Sequence, residues 1–295
     1  MEIDMDTSIL QWPEKKVEDW YDFTEALEAA LDAFRLPATY IFRGQANSCW
    51  PLKPSLLRCM GDVKDRAFAR GVEQFLEEEF VGQAHLFPET HDVWHALDTA
   101  ATRVHTWEFM QHYSCPTRLL DWTSSAYVAT YFAVDQLPEK DGALFIVAPE
   151  AVHMYFERQN SKLASITDDL LFDPTTPDCV GFTWPSLKPS RAVAQQGQFS
   201  MCTNILATHD GPILEACSAI KLEQPDKFIH RKIIIPADLK PLFLQQLLTM
   251  NVTARSLYQT LDGTGKSLGD LAVLKVALYK AEQSEKYKLS RLVEK

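Results

Sequence analysis

Residues 111–133, Q-H-Y-S-C-P-T-R-L-L-D-W-T-S-S-A-Y-V-A-T-Y-F-A, constrain this chain more than any other stretch. Pro116 has no N–H and disfavours helix at Cys115, so the chain must turn there. Thr117 to Asp121 therefore reads as a short extended segment. Thr123, Ser124 and Ser125 are good N-cap residues, and Val128, Ala129, Tyr131 and Phe132 behind them recur at helical spacing. The pattern is helix, kink, strand, capped helix. Such a junction gathers backbone N–H donors and small hydroxyls at one point and suits an anionic or ribose-bearing ligand. The competing reading is a buried turn whose polar groups satisfy one another.

The remaining chain must supply what packs around that junction. At 295 residues it can bury a substantial core as one large domain or two small ones. Its 46% hydrophobic and 23% charged residues fit a globular protein. No apolar run is long enough to span a bilayer, and the acidic N-terminus lacks a signal-peptide pattern, so cytoplasmic residence is expected. The six cysteines, at 49, 59, 115, 179, 202 and 217, show no C-x-x-C spacing and are expected to be free thiols. A net charge of −11 argues against broad phosphate-backbone binding but allows a local basic pocket.

In chain order, residues 1–20 read as an irregular lead-in, followed by a helix carrying Phe23, Leu27, Ala30, Leu31 and Phe34 that Pro37 ends. Thr39 to Arg43 is a β-prone run that places Arg43 at a sheet edge beside Gly44 and its permissive backbone. Such an arginine either meets a ligand or satisfies loop carbonyls. Phe68, Val72, Phe75, Leu76 and Phe80 predict a helix over about 65–80 whose other face, Glu73, Glu77, Glu78 and Glu79, is expected to be solvated. His91 and His95 share a helical spacing with Glu89 nearby, without a metal-site pattern. A helix from about Asp98 leads into His112 and Tyr113. Ala143 to Ala148 is predicted as a buried strand, 150–190 as an insertion or long loop, and Arg191 to Met201 as a strand with a bulge at Gly197. A strand over Lys232 to Ile235 and a helix with Leu242, Leu244, Leu247 and Leu248 follow. Leu261-Asp262-Gly263 is predicted as a turn before a last helix, with a frayed polar tail from Lys280. The elements lack regular βαβα alternation, which predicts an α+β fold with a mixed, largely antiparallel sheet and flanking helices.

These segments together resemble the FRG domain family. The resemblance runs through Ile41-Phe42-Arg43-Gly44-Gln45 and Trp50-Pro51-Leu52-Lys53-Pro54-Ser55-Leu56-Leu57-Arg58, and is strongest over Gln111 to Ala133. It continues weakly at Arg191 to Phe199 and ends near Ser256 to Gly263. The family usually has glycine after His-Tyr, where this chain has Ser114-Cys115. Its late turn keeps only Asp262-Gly263. The implied organisation is a lead-in and helix over 1–37, an FRG-like domain over 38–270, and a C-terminal helix and tail over 271–295.

More distantly, Arg43 closing an early strand, Thr123-Ser124-Ser125, and the helix Ala126 to Ala133 resemble the ADP-ribosyltransferase arrangement. That resemblance implies an NAD-dependent transferase or NAD glycohydrolase, with NAD as substrate and no metal. It implies a nucleotide-contacting set of Arg43, Gly44, Gln45, Arg118, Asp121, Thr123, Ser124, Ser125 and Tyr131. The implied catalytic set is His112, Tyr113, Gln195 and Gln198. An arginine holds phosphate through a planar fork, helix-start hydroxyls hold ribose, and Tyr113 or Tyr131 offers an aromatic face. The analogy expects a glutamate on a later strand; Gln195, Gln196 and Gln198 stand there instead, and glutamine cannot carry the charge that stabilises an oxocarbenium ion. The implied biology is an intracellular toxin or phage-defence effector with a protein or nucleic-acid acceptor and an inhibitory antitoxin partner. Two other readings stay open. One is a nucleotide-sensing module without turnover. The other is a nuclease or hydrolase using His112, Asp121 and Arg118.

Overall fold

The computed structural model describes residues 10–31, 40–84, 86–87, 103–164, 168–173, 175–184, 190–226 and 229–293. The lead-in gives strand β1 (Glu14–Lys16) and helix α1 (Trp20–Leu31). Strand β2 (Ile41–Gln45) is followed by α2 (Ser55–Met60), α3 (Arg66–Ala84) and α4 (Arg103–His112). Next come β3 (Leu120–Thr123), α5 (Ala126–Val134), β4 (Gly142–Val147), α6 (Pro149–Gln159) and α7 (Asp168–Phe172). Strand β5 (Val180–Thr183), α8 (Ser190–Ala194), β6 (Gly197–Cys202), α9 (Asp210–Glu223) and β7 (His230–Ile235) precede α10 (Lys240–Thr249), α11 (Ala254–Tyr258) and α12 (Leu261–Val293).

The strands form a seven-stranded sheet in the order β1-β7-β4-β2-β3-β6-β5, antiparallel throughout except for β1 on β7. The expected α+β class with a mixed, largely antiparallel sheet is what the chain adopts. Strand β4, G-A-L-F-I-V, is buried at every position and pairs along its length with β2 and β7. The pairing between β2 and β3 is different: it consists of the single pair Phe42↔Thr123. The sheet is thus two half-sheets that meet at one point and part beyond it.

Helix α5 is apolar on nearly every side, which commits it to burial. It lies across β2 and β4, and glycines make the approach possible. A Cβ on Gly44 would run into the Ala129 carbonyl, and one on Gly142 into the Ala133 carbonyl. Gly44 is therefore required for close packing rather than for backbone freedom, since its φ is not in the left-handed region. Ser125 is the N-cap of α5 and accepts from the Val128 N–H. After α4 the Cys115 N–H returns to the Met110 carbonyl at 2.9 Å and Ser114 takes φ +65°. This is a left-handed helix stop, and it explains why glycine suits the position that Ser114 fills.

Several expectations are corrected. The acidic face of α3 is solvated only in part: Glu78 and Glu79 are exposed as expected, but Glu73 and Glu77 are buried, while Phe68 and Phe75 are 57% and 58% exposed. The buried Glu73 and Glu77 carboxyls face Arg118 and Arg103 respectively. Residues 14–16 of the lead-in form an edge strand beside β7. Residues 150–190 are not one long loop, because they hold most of α6, all of α7 and the edge strand β5. Residues 190–194 are helical, Gln195 and Gln196 form a turn, and Gly197 begins β6 rather than bulging it; Gln196 takes the strained turn position at φ +48°. Leu261, Asp262 and Gly263 are the first turn of α12, the Thr260 hydroxyl accepting from the Gly263 N–H. That helix runs on to Val293 where a frayed tail was expected. Phe34, Pro37, Thr39, Glu89, His91 and His95 lie outside the described residues. No described helix is long and apolar enough to cross a membrane. The six cysteines are free thiols.

Candidate functional site

Where the half-sheets part, a cleft of about 900 Å³ opens. Its sheet side is made by β2, β3 and β6, one wall by α4, and the other by α5 with the segment that follows β2. Arg43 spans the gap. Its Nη1 donates to the Asp121 carbonyl at 2.6 Å, and the Asp121 carboxylate lies 4.0 Å away. Its side chain is 16% exposed, and its Nε has no hydrogen-bond partner among the described residues. Burial pulls the guanidinium's pKa down, and the Asp121 carboxylate opposes that shift.

From Asp121 the polar contacts continue back along the 111–117 stretch and across to Ser55. Gln111 donates to the Asp121 carboxylate at 2.8 Å, the Thr117 hydroxyl donates to Gln111, and the Thr117 N–H donates to the Ser55 hydroxyl. Segments far apart in sequence therefore share one hydrogen-bonded frame, and the frame sets where Arg43 stands.

Two more cations line the cleft, Lys53 and Arg58, and Arg58 donates to the Lys53 carbonyl at 2.7 Å. Aromatic side chains fill much of the remainder: Phe42, Trp50, Phe109, Tyr113, Phe132 and Phe199. Trp50 and Tyr113 are 46% and 43% exposed, so both present ring surface to water. Behind the cleft, the buried Lys240 ammonium donates to the carbonyls of Ala46, Gln136 and Leu137 at 2.8, 2.8 and 2.9 Å. It fixes two segments, at Ala46 and Gln136, that face the cavity. Burial lowers its pKa, partly countered by Asp135.

The residues expected to act divide into three groups. Arg43, Gly44, Gln45, His112, Tyr113, Asp121, Thr123 and Gln195 line the cleft together. Within that group Gln45 spends its amide on the Trp50 carbonyl, and Thr123 spends its hydroxyl on the Gln195 carbonyl. The Gln195 amide nitrogen is buried with no partner among the described residues. Ser124, Ser125 and Gln198 lie just behind: Gln198 donates to the Ser124 hydroxyl at 2.5 Å, and Ser125 caps α5. The Thr-Ser-Ser run thus stitches β3 to the β6 side and starts a helix, which is the self-satisfied turn weighed against ligand binding. Arg118 and Tyr131 are elsewhere. Arg118 is buried in a two-point pair with Glu73 and lies 4.8 Å over the Trp107 ring. Tyr131 is buried and donates to Asp270 at 2.7 Å, on the α12 side.

Sequence reasoning assigned no role to Lys53, Arg58, Glu108 or Asp135, all of which line the cleft. Glu108 sits four residues before His112 on α4, and that spacing was the available signal. A buried Ser200–His209 contact of 2.8 Å is structural, because Trp122 also donates to Ser200 and neither residue lines the cleft. Burial, then Arg43, pushes the His209 pKa down to about 3, so its ring is neutral. No group of three or more His, Cys, Asp or Glu among the described residues could hold a metal.

Residues 38–142 match the family model of the FRG domain, which contains Arg43, Glu108, His112 and Asp121. No curated protein and no solved structure matches the chain.

Proposed function

We propose that the cleft, most of whose lining falls within the residues that match the FRG domain model, binds NAD⁺ and that the protein is an ADP-ribosyltransferase-like enzyme or NAD⁺ glycohydrolase. The observation that carries this reading is the gathering of Arg43, Lys53 and Arg58 among exposed aromatic rings in a chain of net charge −11. An acidic protein concentrates cations in one cavity where a phosphate-bearing ligand repays their mutual repulsion. Arginine provides paired charge-assisted donors for a diphosphate. Exposed rings such as Trp50 and Tyr113 provide stacking surfaces for a base.

Breaking the nicotinamide–ribose bond develops oxocarbenium charge at the ribose, as glycoside cleavage does. The glutamate that the analogy places on a later strand has no counterpart on β6. The cleft offers Glu108 and Asp121 as carboxylates instead. Loss of NAD⁺ inside a cell fits the role of a toxin or phage-defence effector, with an inhibitory antitoxin partner and a protein or nucleic-acid acceptor. The test is NAD⁺ titration coupled to a nicotinamide-release assay. Release supports the enzyme, and absence of both binding and release removes the reading.

A nucleotide-sensing module without turnover is the second reading, and one observation favours it. The polar group that β6 was expected to contribute, Gln198, is buried and bound to Ser124 rather than turned to the cavity. Saturable NAD⁺ binding with no release, with a candidate acceptor mixture present, would select it.

A further inference from the structure

Helix α12 has two unlike faces. Gly263, Asp270 and Leu274 face the body, where the helix packs on α10 and α11: Gly263 and Leu274 are buried, and Asp270 accepts from the Tyr131 hydroxyl. The opposite face carries Gly265, Leu268, Ala272, Val276 and Tyr279, all exposed, with Leu268, Val276 and Tyr279 at 62%, 52% and 62%. Beyond Leu274 the helix leaves the body, and from Lys275 to Gln283 every side chain but that of Ala277 is exposed. Helices draw most of their stability from packing an apolar face. A continuous apolar stripe on a projecting helix therefore calls for a partner.

The stripe is symmetric about Ala272. Leu268 and Val276 lie four residues to either side of it, Gly265 and Tyr279 seven, and these intervals keep all five on one face. Turned end for end against a copy of itself, the helix sets its large outward ring, Tyr279, over Gly265. A Cβ at Gly265 would meet nothing within 4 Å, so the space there is open. Leu268 then meets Val276, and Ala272 meets Ala272 on the two-fold axis. Charge agrees with this register. Asp262 and Lys280, both exposed, stand eighteen residues or about five turns apart and so share one flank of the stripe. The antiparallel arrangement brings each Lys280 within about 3 Å along the axis of the level of the other copy's Asp262, which is inside a lysine's reach. We propose that this face of α12 is the interface of an antiparallel, two-fold dimer of the chain. Such an interface is isologous and closes on itself. It is independent of what the cleft binds.

The experiment is sedimentation equilibrium of the full chain across about 1–100 µM, with each variant checked for folding by circular dichroism. Wild type should move towards twice the monomer mass over that range. Ala272→Glu sets two like charges face to face on the two-fold axis and should leave a folded monomer. Lys280→Glu should weaken association about tenfold, and adding Asp262→Lys to it should restore wild-type association. That restoration is specific to this register, and it keeps the test decisive if Ala272→Glu does not fold. Wild type that stays monomeric at the highest concentration overturns the proposal. A dimer that survives in folded Ala272→Glu places the interface elsewhere and overturns it as well. A loss with Lys280→Glu that Asp262→Lys does not restore overturns the antiparallel pairing.

Discussion

Arg43 and Arg118 flank the same strand-and-turn region, and their surroundings are opposite. Arg43 stands in the middle of β2, a central strand, rather than at the strand end and sheet edge expected from the sequence, and holds the Asp121 carbonyl oxygen with one amino group at the cleft. Arg118 is 2% exposed, locked on the Glu73 carboxylate and covered by Trp107. Beside it Glu77 accepts from the Trp107 indole and pairs with Arg103 at 3.1 Å. That cluster ties α3 to α4 and so backs the helix that presents Glu108 and His112 to the cleft. An arginine in a motif can thus be a ligand contact or a strut. What separates the two is whether a carboxylate from another element has already claimed the fork.

The strongest way to break this contrast is Glu73→Ala. Removing one partner of a buried pair leaves an uncompensated charge and should cost about 3–5 kcal/mol of stability, read by chemical denaturation. A loss below about 1 kcal/mol would mean Arg118 is not a strut. Next is Arg43→Ala, expected to melt near wild type yet lose about 2–3 kcal/mol of NAD⁺ affinity. Arg43→Lys should recover little of it, because the planar fork is gone. A well-folded Arg43→Ala with wild-type affinity and turnover would remove Arg43 from the ligand side of the comparison.

Glu77 sharpens the buried half through pH. Burial pushes its pKa up from 4.5 to about 7, with Arg103 and the Trp107 bond pulling the other way. The folded state therefore holds its proton more tightly than the unfolded chain. Glu77's contribution is fully present below pH 4.5 and is lost as pH rises through about 7. Glu77→Gln should flatten the fall in stability across that window, an effect on the order of 2 kcal/mol, measured by urea unfolding from pH 4 to 8. An unchanged slope would show that the carboxylate titrates normally. The smallest effect is Ser125→Ala: loss of the α5 cap should cost about 1 kcal/mol with NAD⁺ affinity unchanged. A weakened affinity at full stability would return the hydroxyl to the ligand.

The features legible in the sequence were those set by local chemistry. The Pro116 kink, the capped helix at Ser125, the buried strand before Ala148 and the convergence of Arg43 with Thr123 follow from side-chain type and spacing. The misread features depend on partners far along the chain. Glu73 looked solvent-facing because its arginine lies 45 residues away. Gln195 and Gln198 looked equivalent on one predicted strand, but a left-handed turn at Gln196 separates a cleft residue from a buried one. Tyr131 shares the helical spacing of α5, yet its hydroxyl is claimed by Asp270, 139 residues on.

The single Phe42↔Thr123 pair has a consequence for how the molecule breathes. Cooperative unfolding spreads through hydrogen-bonded ladders and packed side chains, and here the ladder between β2 and β3 is one rung long. β4 and β7 share a six-residue register, whereas the other half-sheet rests on the β3–β6 and β5–β6 ladders. Deuterium uptake should therefore show two protection classes within one sheet: slow amides in β4 and β7, and a faster set in β3, β5 and β6. A nucleotide seated across the seam should slow the faster set selectively, and that slowing would report occupancy without any chemical step.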